Sequence, residues 1–211
     1  MKKVLMISLL CITLASLGMA QEQISGPQSG TLGPGTYLVV GDIQVQAGQT
    51  LVVEPGTTFL HNGPWSWYVY GQLNADGTEA DSIYFARQNP VPEHRWRSIR
   101  FETGASAAST LDYCAIDNCN IPSGSPISMK GGGVYINGVA MTVSNCRISN
   151  CDAYWDGGGI YAQNANVIIT NNLIVDNAAT SGANGGGIVV YNCTEAMITY
   201  NEIARNSATG T

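Results

Sequence analysis

The sequence predicts an all-β solenoid, a stack of short parallel strands, on three observations. Three glycine triplets, Gly131–Gly133, Gly157–Gly159 and Gly185–Gly187, start 26 and 28 residues apart, and each leads into an aliphatic residue, Val134, Ile160 or Ile188. Behind each triplet, side chains alternate with the period of two that marks a half-buried strand. From residue 21 onward no stretch holds a 3.6-residue period long enough for a helix. Repetition at this length means one supersecondary unit stacked on copies of itself.

Each element follows from that alternation. In the first segment of each unit, Val134 and Ile136, Ile160 and Ala162, and Ile188 and Val190 point inward, leaving Tyr135, Tyr161 and Val189 on the opposite side. The second segment turns in Met141 and Val143, Val167 and Ile169, and Ala196 and Ile198. A third, shorter segment centres on Ile148, Ile174 and Ile203. Asn, Gly and Ser turns separate the segments. Three short strands per coil describe a parallel β-helix, in which each coil pairs its backbone with its neighbours and the aliphatic residues stack into one core. The LxxLxL frame of a leucine-rich repeat is absent. An earlier unit, LDYCAIDNC from Leu111 to Cys119, matches VSNCRISNC from Val143 to Cys151 at a spacing of 32, so that coil carries a loop, Asn120 to Lys130. Regular repeats therefore run over 105–211.

Between Thr36 and Ile116 strands continue at less even spacing, with Pro34-Gly35, Pro55-Gly56 and Asp76-Gly77 as turns. No linker or composition break divides 21–211, which reads as one domain whose first strands cap the solenoid and whose irregular coils reach to about residue 104. Residues 1–20 read as a secretory signal peptide: Lys2 and Lys3, an apolar run from Val4 to Leu17, then Gly18-Met19-Ala20. The run is too short for a membrane span, and Cys11 within it lacks the small residue a lipoprotein cleavage site needs before it. The sequence stops at Asn206-Ser-Ala-Thr-Gly-Thr211, where a further glycine triplet is due, so a C-terminally incomplete solenoid is expected.

These residues resemble the right-handed parallel β-helix proteins of the pectate-lyase-like superfold. Asn172 and Asn201 stand in the bend between second and third strands, where that superfold keeps a stacked asparagine ladder, with Cys114 and Cys146 in the same column. Cys119, Cys151, Asn177 and Asn206 form a second column. The GGG[IV] openings, followed by IxxN at Ile174–Asn177 and Ile203–Asn206, are similar to the GGA[ILV] and FxxN repeats of polymorphic outer-membrane adhesins. The resemblance implies an exported, extracellular or cell-surface scaffold for adhesion or glycan contact. The alternative it implies is a polysaccharide lyase or glycoside hydrolase with its active site in missing coils or in the loop 152–156.

Composition narrows the partners. Charged residues make up 11% of the chain, against about 25% in ordinary domains. Past residue 20 there remain 9 − 2 = 7 cations against 15 acids, a net charge of −8. An acidic surface argues against nucleic acid and anionic membranes. Export permits disulfides. Two arrangements of the cysteine columns stay open, since strands about 4.8 Å apart bring the Cα atoms into range but hold Cβ atoms slightly too far apart without a pinch. Either Cys114–Cys146 and Cys119–Cys151 are bridged between coils, or they form a thiol ladder in place of Asn. Metal binding is a lesser third reading, with no His near these columns. Cys193 has no evident partner.

Catalytic signatures of related enzymes are missing: there is no adjacent Asp pair, no Gly-His-Gly and no Arg-Ile-Lys. His61 and His94 fall in the irregular half, and Arg95, Arg97 and Arg100 form the one basic cluster, read either as an anion site or as a solvated loop entering a strand. Asp152 and Asp156 flank Ala153-Tyr154-Trp155. Two carboxylates with two aromatics make that loop the candidate cleft for a sugar, for calcium, or for the active site in the enzyme reading. Tyr135 and Tyr161 should stack outward on adjacent coils, as a platform for sugar rings or as a cross-strand pair that stabilises the face. Trp65, Trp67, Tyr68 and Tyr70 are expected to cover the core near the cap.

Overall fold

The computed structural model describes residues 21–125, 127–181 and 184–209; the expected signal peptide lies outside them. The described chain winds through six coils of parallel strands with three faces. The first face runs from the C-terminal half of Thr36–Val45 through Trp67–Val69, Ile99–Phe101, Val134–Asn137 and Ile160–Gln163 to Ile188–Tyr191. The second runs from Gly30–Leu32 to Ala196–Thr199. The third carries Thr58–His61, Ile83–Arg87, Cys114–Asp117, Arg147–Ser149, Leu173–Val175 and Glu202–Ala204. The long strand Thr36–Val45 pairs with both Thr58–His61 and Trp67–Val69, and so joins the first and third faces into one sheet. Glu22–Pro27 pairs along its other side and buries Ile24.

Later coils add an element that the alternation did not reveal. Asn120–Ile121, Asp152–Ala153, Ala178–Ala179 and Ser207–Ala208 stack as a fourth column. Two residues are too few to display a period. The registers of the regular half follow the repeats: Tyr135 pairs with Tyr161, Met141 with Val167, and Ile148 with Ile174. Among the described residues the single helical turn is a 3-10 segment, Pro92–His94.

The bends explain the polar repeats. Between the second and third faces, Tyr113, Asn145, Asn171 and Tyr200 have φ of 47°, 52°, 57° and 57°; after the third face, Asn118, Asn150, Asp176 and Arg205 have 61°, 53°, 58° and 56°. One left-handed residue per bend turns the chain, and Asn tolerates that conformation better than most side chains. The glycine triplets serve two needs. Gly157 takes φ +66°, while a Cβ on Gly158 would meet the Ala178 carbonyl oxygen at 2.4 Å and one on Gly159 the Gly187 carbonyl oxygen at 2.6 Å. Successive coils approach too closely there for any side chain.

The core is aliphatic in the regular half and aromatic before it. Phe59, Trp67, Phe85 and Trp96 are fully buried, with Phe59 and Trp67 packed edge-on at 4.7 Å. Trp67 thus enters the core and Trp65 packs against it. Tyr68 and Tyr70 do not cover the core as expected: they point out of the strand parity that buries Trp67 and Val69, and stack on each other at 6.5 Å.

Candidate functional site

The asparagine and cysteine columns form as continuous ladders. Asn201 Oδ1 accepts the backbone N–H of Asn172 at 2.8 Å, and Asn172 Oδ1 accepts that of Cys146 at 2.9 Å. Asn172 Nδ2 donates to the Val143 carbonyl at 2.9 Å. The second ladder repeats this, with Asn206 Oδ1 receiving Asn177 N–H at 3.0 Å and Asn177 Oδ1 receiving Cys151 N–H at 3.0 Å. Where Asn gives way to Cys, Cys146 Sγ accepts the Cys114 N–H at 3.4 Å and its own S–H donates to the Ser144 carbonyl at 3.0 Å. Cys114, Cys119, Cys146, Cys151 and Cys193 are all free thiols. Burial first, and then the hydrogen bonds with Cys146 and Cys151, push the Cys114 and Cys119 thiols well above the usual range. Of the open arrangements this is the thiol ladder, and its role is structural.

The tyrosine platform exists but is covered. Tyr135 and Tyr161 stack at 5.9 Å with ring planes 5° apart, on the outer side of the first face. They are nonetheless only 5% and 2% exposed. Arg100 Cζ lies 3.9 Å from the Tyr135 ring centre, and Lys130 Nζ lies 4.6 Å from that of Tyr161 and hydrogen-bonds its hydroxyl at 3.0 Å. Arg100 also donates to the carbonyls of Ser128 and Lys130, at 3.5 and 3.3 Å, and so holds the returning loop over the rings. Burial works against the Lys130 charge, but hydrogen bonds to Tyr161 and Asp156 outweigh it and raise its pKa. No sugar can stack on this pair with the loop in place.

The Asp152–Asp156 cleft does not assemble. Asp152 opens a strand of the fourth column and binds Arg95 Nη1 at 2.7 Å. Asp156 binds Lys130 Nζ at 3.3 Å and accepts the Asn184 backbone N–H at 2.8 Å. The two carboxylates thus serve different cations on different faces. Tyr154 and Trp155 sit between them, 6.4 Å apart and tilted by 45°, and only Trp155 is well exposed. Among the described residues no three Asp, Glu, His or Cys side chains converge as metal ligands.

The arginines of the basic cluster are each held by protein groups. Arg95 also donates to the carbonyls of Cys119 and Asn150, Arg97 to that of Pro64, and Arg100 pairs with Glu102 at 3.1 Å. Each arginine staples a different pair of segments.

A groove that sequence reasoning missed lies on the outer side of the third face. It encloses about 470 Å³ and is floored by Ala86 and Ala115, with Tyr84, Asp117, Arg147 and Ser149 around it. Tyr84 is 49% exposed. Tyr84 pairs with Ala115 and Ala115 with Arg147, so these outward residues form one column on neighbouring coils. Asp117 Oδ1 accepts from Ser149 Oγ and Asn150 Nδ2, each at 2.8 Å. A smaller recess of about 270 Å³ continues past Asn150 to Arg87, Arg95, Asp152 and Asp176. The signal for it was the parity of Ile83-Tyr84-Phe85, which turns Tyr84 outward once the strand is placed in register with Cys114. A larger groove of about 690 Å³ on the second face is lined chiefly by Ala, Val, Ile and Met side chains, with Glu195 its one charged residue. It lacks the aromatic face and the guanidinium of the third-face groove.

A family model for the right-handed β-helix region matches residues 94–211, more than half of the sequence. The chain belongs to the right-handed β-helix family. No curated protein and no solved structure matches it. Within this right-handed β-helix, the third-face groove combines an aromatic face, hydrogen-bonding side chains and charge on a rigid stacked support, which is the chemistry of a polar-ligand site.

Proposed function

We propose that this right-handed β-helix is an exported, extracellular or cell-surface scaffold that contacts glycans without turning them over. The observation that carries this is the third-face groove, where exposed Tyr84 stands beside Asp117, Arg147 and Ser149. Sugar rings offer apolar faces to an aromatic and hydroxyl edges to such side chains. Glycoside hydrolysis needs two carboxyl groups across the scissile bond, one of them able to give a proton. The acids around this groove are engaged instead. Asp117 accepts two hydrogen bonds on one oxygen, Asp152 is tied to Arg95, and Asp176 forms a two-pronged pair with Arg205 at 2.7 Å. The Arg205 hydrogen bonds hold the Asp176 carboxyl below its ordinary range. Export is supported by the leader-like residues 1–20 and by the Asn-, Gly- and Ser-rich surface.

The test is a panel of neutral and acidic polysaccharides, with and without calcium, scored both for binding and for release of reducing or unsaturated ends. Binding without release is expected. Tyr84→Ala should weaken it roughly tenfold, about 1.4 kcal/mol. Sugar release that disappears in Asp152→Ala or Asp156→Ala would replace the scaffold reading with that of a polysaccharide lyase or hydrolase.

A further inference from the structure

We infer that Asn184 is a self-modifying site: in the folded protein its side chain cyclises onto the Gly185 nitrogen and ages to aspartate and isoaspartate, while the fold locks the other Asn-Gly pairs against the same reaction. The inference is independent of the glycan-contact reading.

Three Asn-Gly pairs occur in the chain: Asn62-Gly63, Asn137-Gly138 and Asn184-Gly185. Glycine leaves the nitrogen that follows an asparagine least hindered, because it brings no side chain. The reaction needs neither cofactor nor oxidant. The Gly185 nitrogen gives its proton to hydroxide from solvent and attacks Asn184 Cγ. The bond from Cγ to the amide nitrogen breaks and ammonia leaves, closing a cyclic imide. Water then opens either imide carbonyl, giving aspartate or isoaspartate. On balance one water is consumed and one ammonia released. Attack requires the carboxamide carbon and the next backbone nitrogen to meet, so a pair whose groups are held elsewhere does not react.

The fold engages two of the pairs and leaves the third open. Asn137 ends the strand Val134–Asn137 in register with Gln163. Its Oδ1 accepts from Gln163 Nε2 at 3.0 Å, and the Gly138 N–H donates to the Gln163 carbonyl at 3.0 Å, so both reacting groups are occupied. Asn62 Oδ1 accepts the Trp65 indole N–H at 3.0 Å. Gly63 is buried, and the Trp65 ring lies 2.8 Å from where a Cβ on it would stand, which closes that pair to solvent. Asn184 lies outside any strand and is exposed. Among the described residues its carboxamide has one tie, a 3.3 Å bond from Nδ2 to Asp156 Oδ1, and no group accepts the Gly185 N–H. Lys130, Asp156 and Asn184 each stand directly before a glycine triplet. The new carboxylate therefore arises beside Asp156, which already pairs with Lys130 at 3.3 Å, and two carboxylates come to share one ammonium. The net charge past residue 20 becomes −8 − 1 = −9.

The experiment ages the whole protein in mildly alkaline buffer, once folded and once in urea, and follows each Asn-Gly pair by peptide mapping and tandem mass spectrometry. The readout is the mass gain of amide-to-acid exchange at Asn62, Asn137 and Asn184, with the isoaspartyl and aspartyl products separated by chromatography. In the folded protein Asn184 should convert at least about tenfold faster than either of the others. In urea the three rates should converge, since the dipeptide is the same and only the fold distinguishes them. Asn184→Gln, whose longer side chain closes such a ring poorly, should abolish the fast conversion while circular dichroism stays unchanged. Conversion of Asn62 or Asn137 as fast as that of Asn184 in the folded protein would overturn the inference. So would an Asn184 that survives ageing in the folded protein yet converts in urea, because the fold would then protect the site rather than leave it open. A spread of rates in urea as wide as in the folded state would likewise overturn it, by placing the selectivity in local sequence instead of structure.

Discussion

His61 is fully buried, and both its ring nitrogens are used. Its Nδ1 lies 2.8 Å from the Ala86 carbonyl oxygen and must carry the proton, because Nε2 accepts the Trp67 indole N–H at 3.0 Å. The ring also stacks on Trp96 at 4.2 Å. A second proton would break the bond to Trp67 and place a charge among aromatics. Burial accordingly lowers the pKa to about 3, although the Ala86 hydrogen bond acts in the opposite sense. The consequence for stability has a definite sign. Below the unfolded value of 6.5 the unfolded chain takes up a proton that the fold refuses, so stability falls as the pH drops from 6.5 towards 3 and levels off beneath that. The slope approaches about 1.4 kcal/mol per pH unit. His61→Gln removes the titration, so urea unfolding at pH 4.5 and 7.5 should differ by about 2–3 kcal/mol less in the variant than in the parent. An unchanged difference would mean that another group, not His61, carries the acid sensitivity.

At the scale of the element, the bends rather than the strands carry the specificity. Strand parity was legible because Val134, Ile136 and their repeats must face the core. The ladders were legible because Asn172, Asn201, Cys114 and Cys146 recur at one offset. The two-residue fourth column was not, since neither Asp152-Ala153 nor Ala178-Ala179 holds enough side chains to betray a face. The ladders also show why Cys and Asn can alternate in a column: each offers an acceptor to the N–H of the coil before it, and each donates to a nearby carbonyl. Asn172 is 2% exposed. Asn172→Ala leaves the buried Cys146 N–H and Val143 carbonyl without their amide partner and should cost about 2–3 kcal/mol. Asn172→Cys should recover at least part of that, because Cys146 already makes the equivalent contacts one coil earlier. Denaturant midpoints of the two variants decide the matter, and a Cys variant no more stable than the Ala variant would sink the equivalence.

Across the whole molecule, legibility follows the range of the interactions. Outward parity of Tyr135 and Tyr161 could be read from neighbouring residues, but their coverage depends on Arg100 and Lys130 arriving from outside those strands. The third-face groove escaped because an insertion between Arg87 and Ile99 hides the register that stacks Tyr84 below Ala115 and Arg147. A stack whose coils touch only their neighbours should also be uneven in stability. The earlier coils share Phe59, Trp67, Phe85 and Trp96, all at 0% exposure, whereas Ile198 and Ile203 on the coil Ile188–Ala208 remain 42% and 49% exposed. In the 211-residue chain, amides of Thr58–His61 and Ile83–Arg87 should therefore exchange only through global unfolding. Those of Ala196–Thr199 and Glu202–Ala204 should exchange at least about a hundredfold faster through local fraying. Hydrogen exchange read by mass spectrometry resolves the two sets. Equal protection along the stack would mean that the coils unfold as one cooperative block, and that the aromatic core of the early coils stabilises the last coil across the full length of the solenoid.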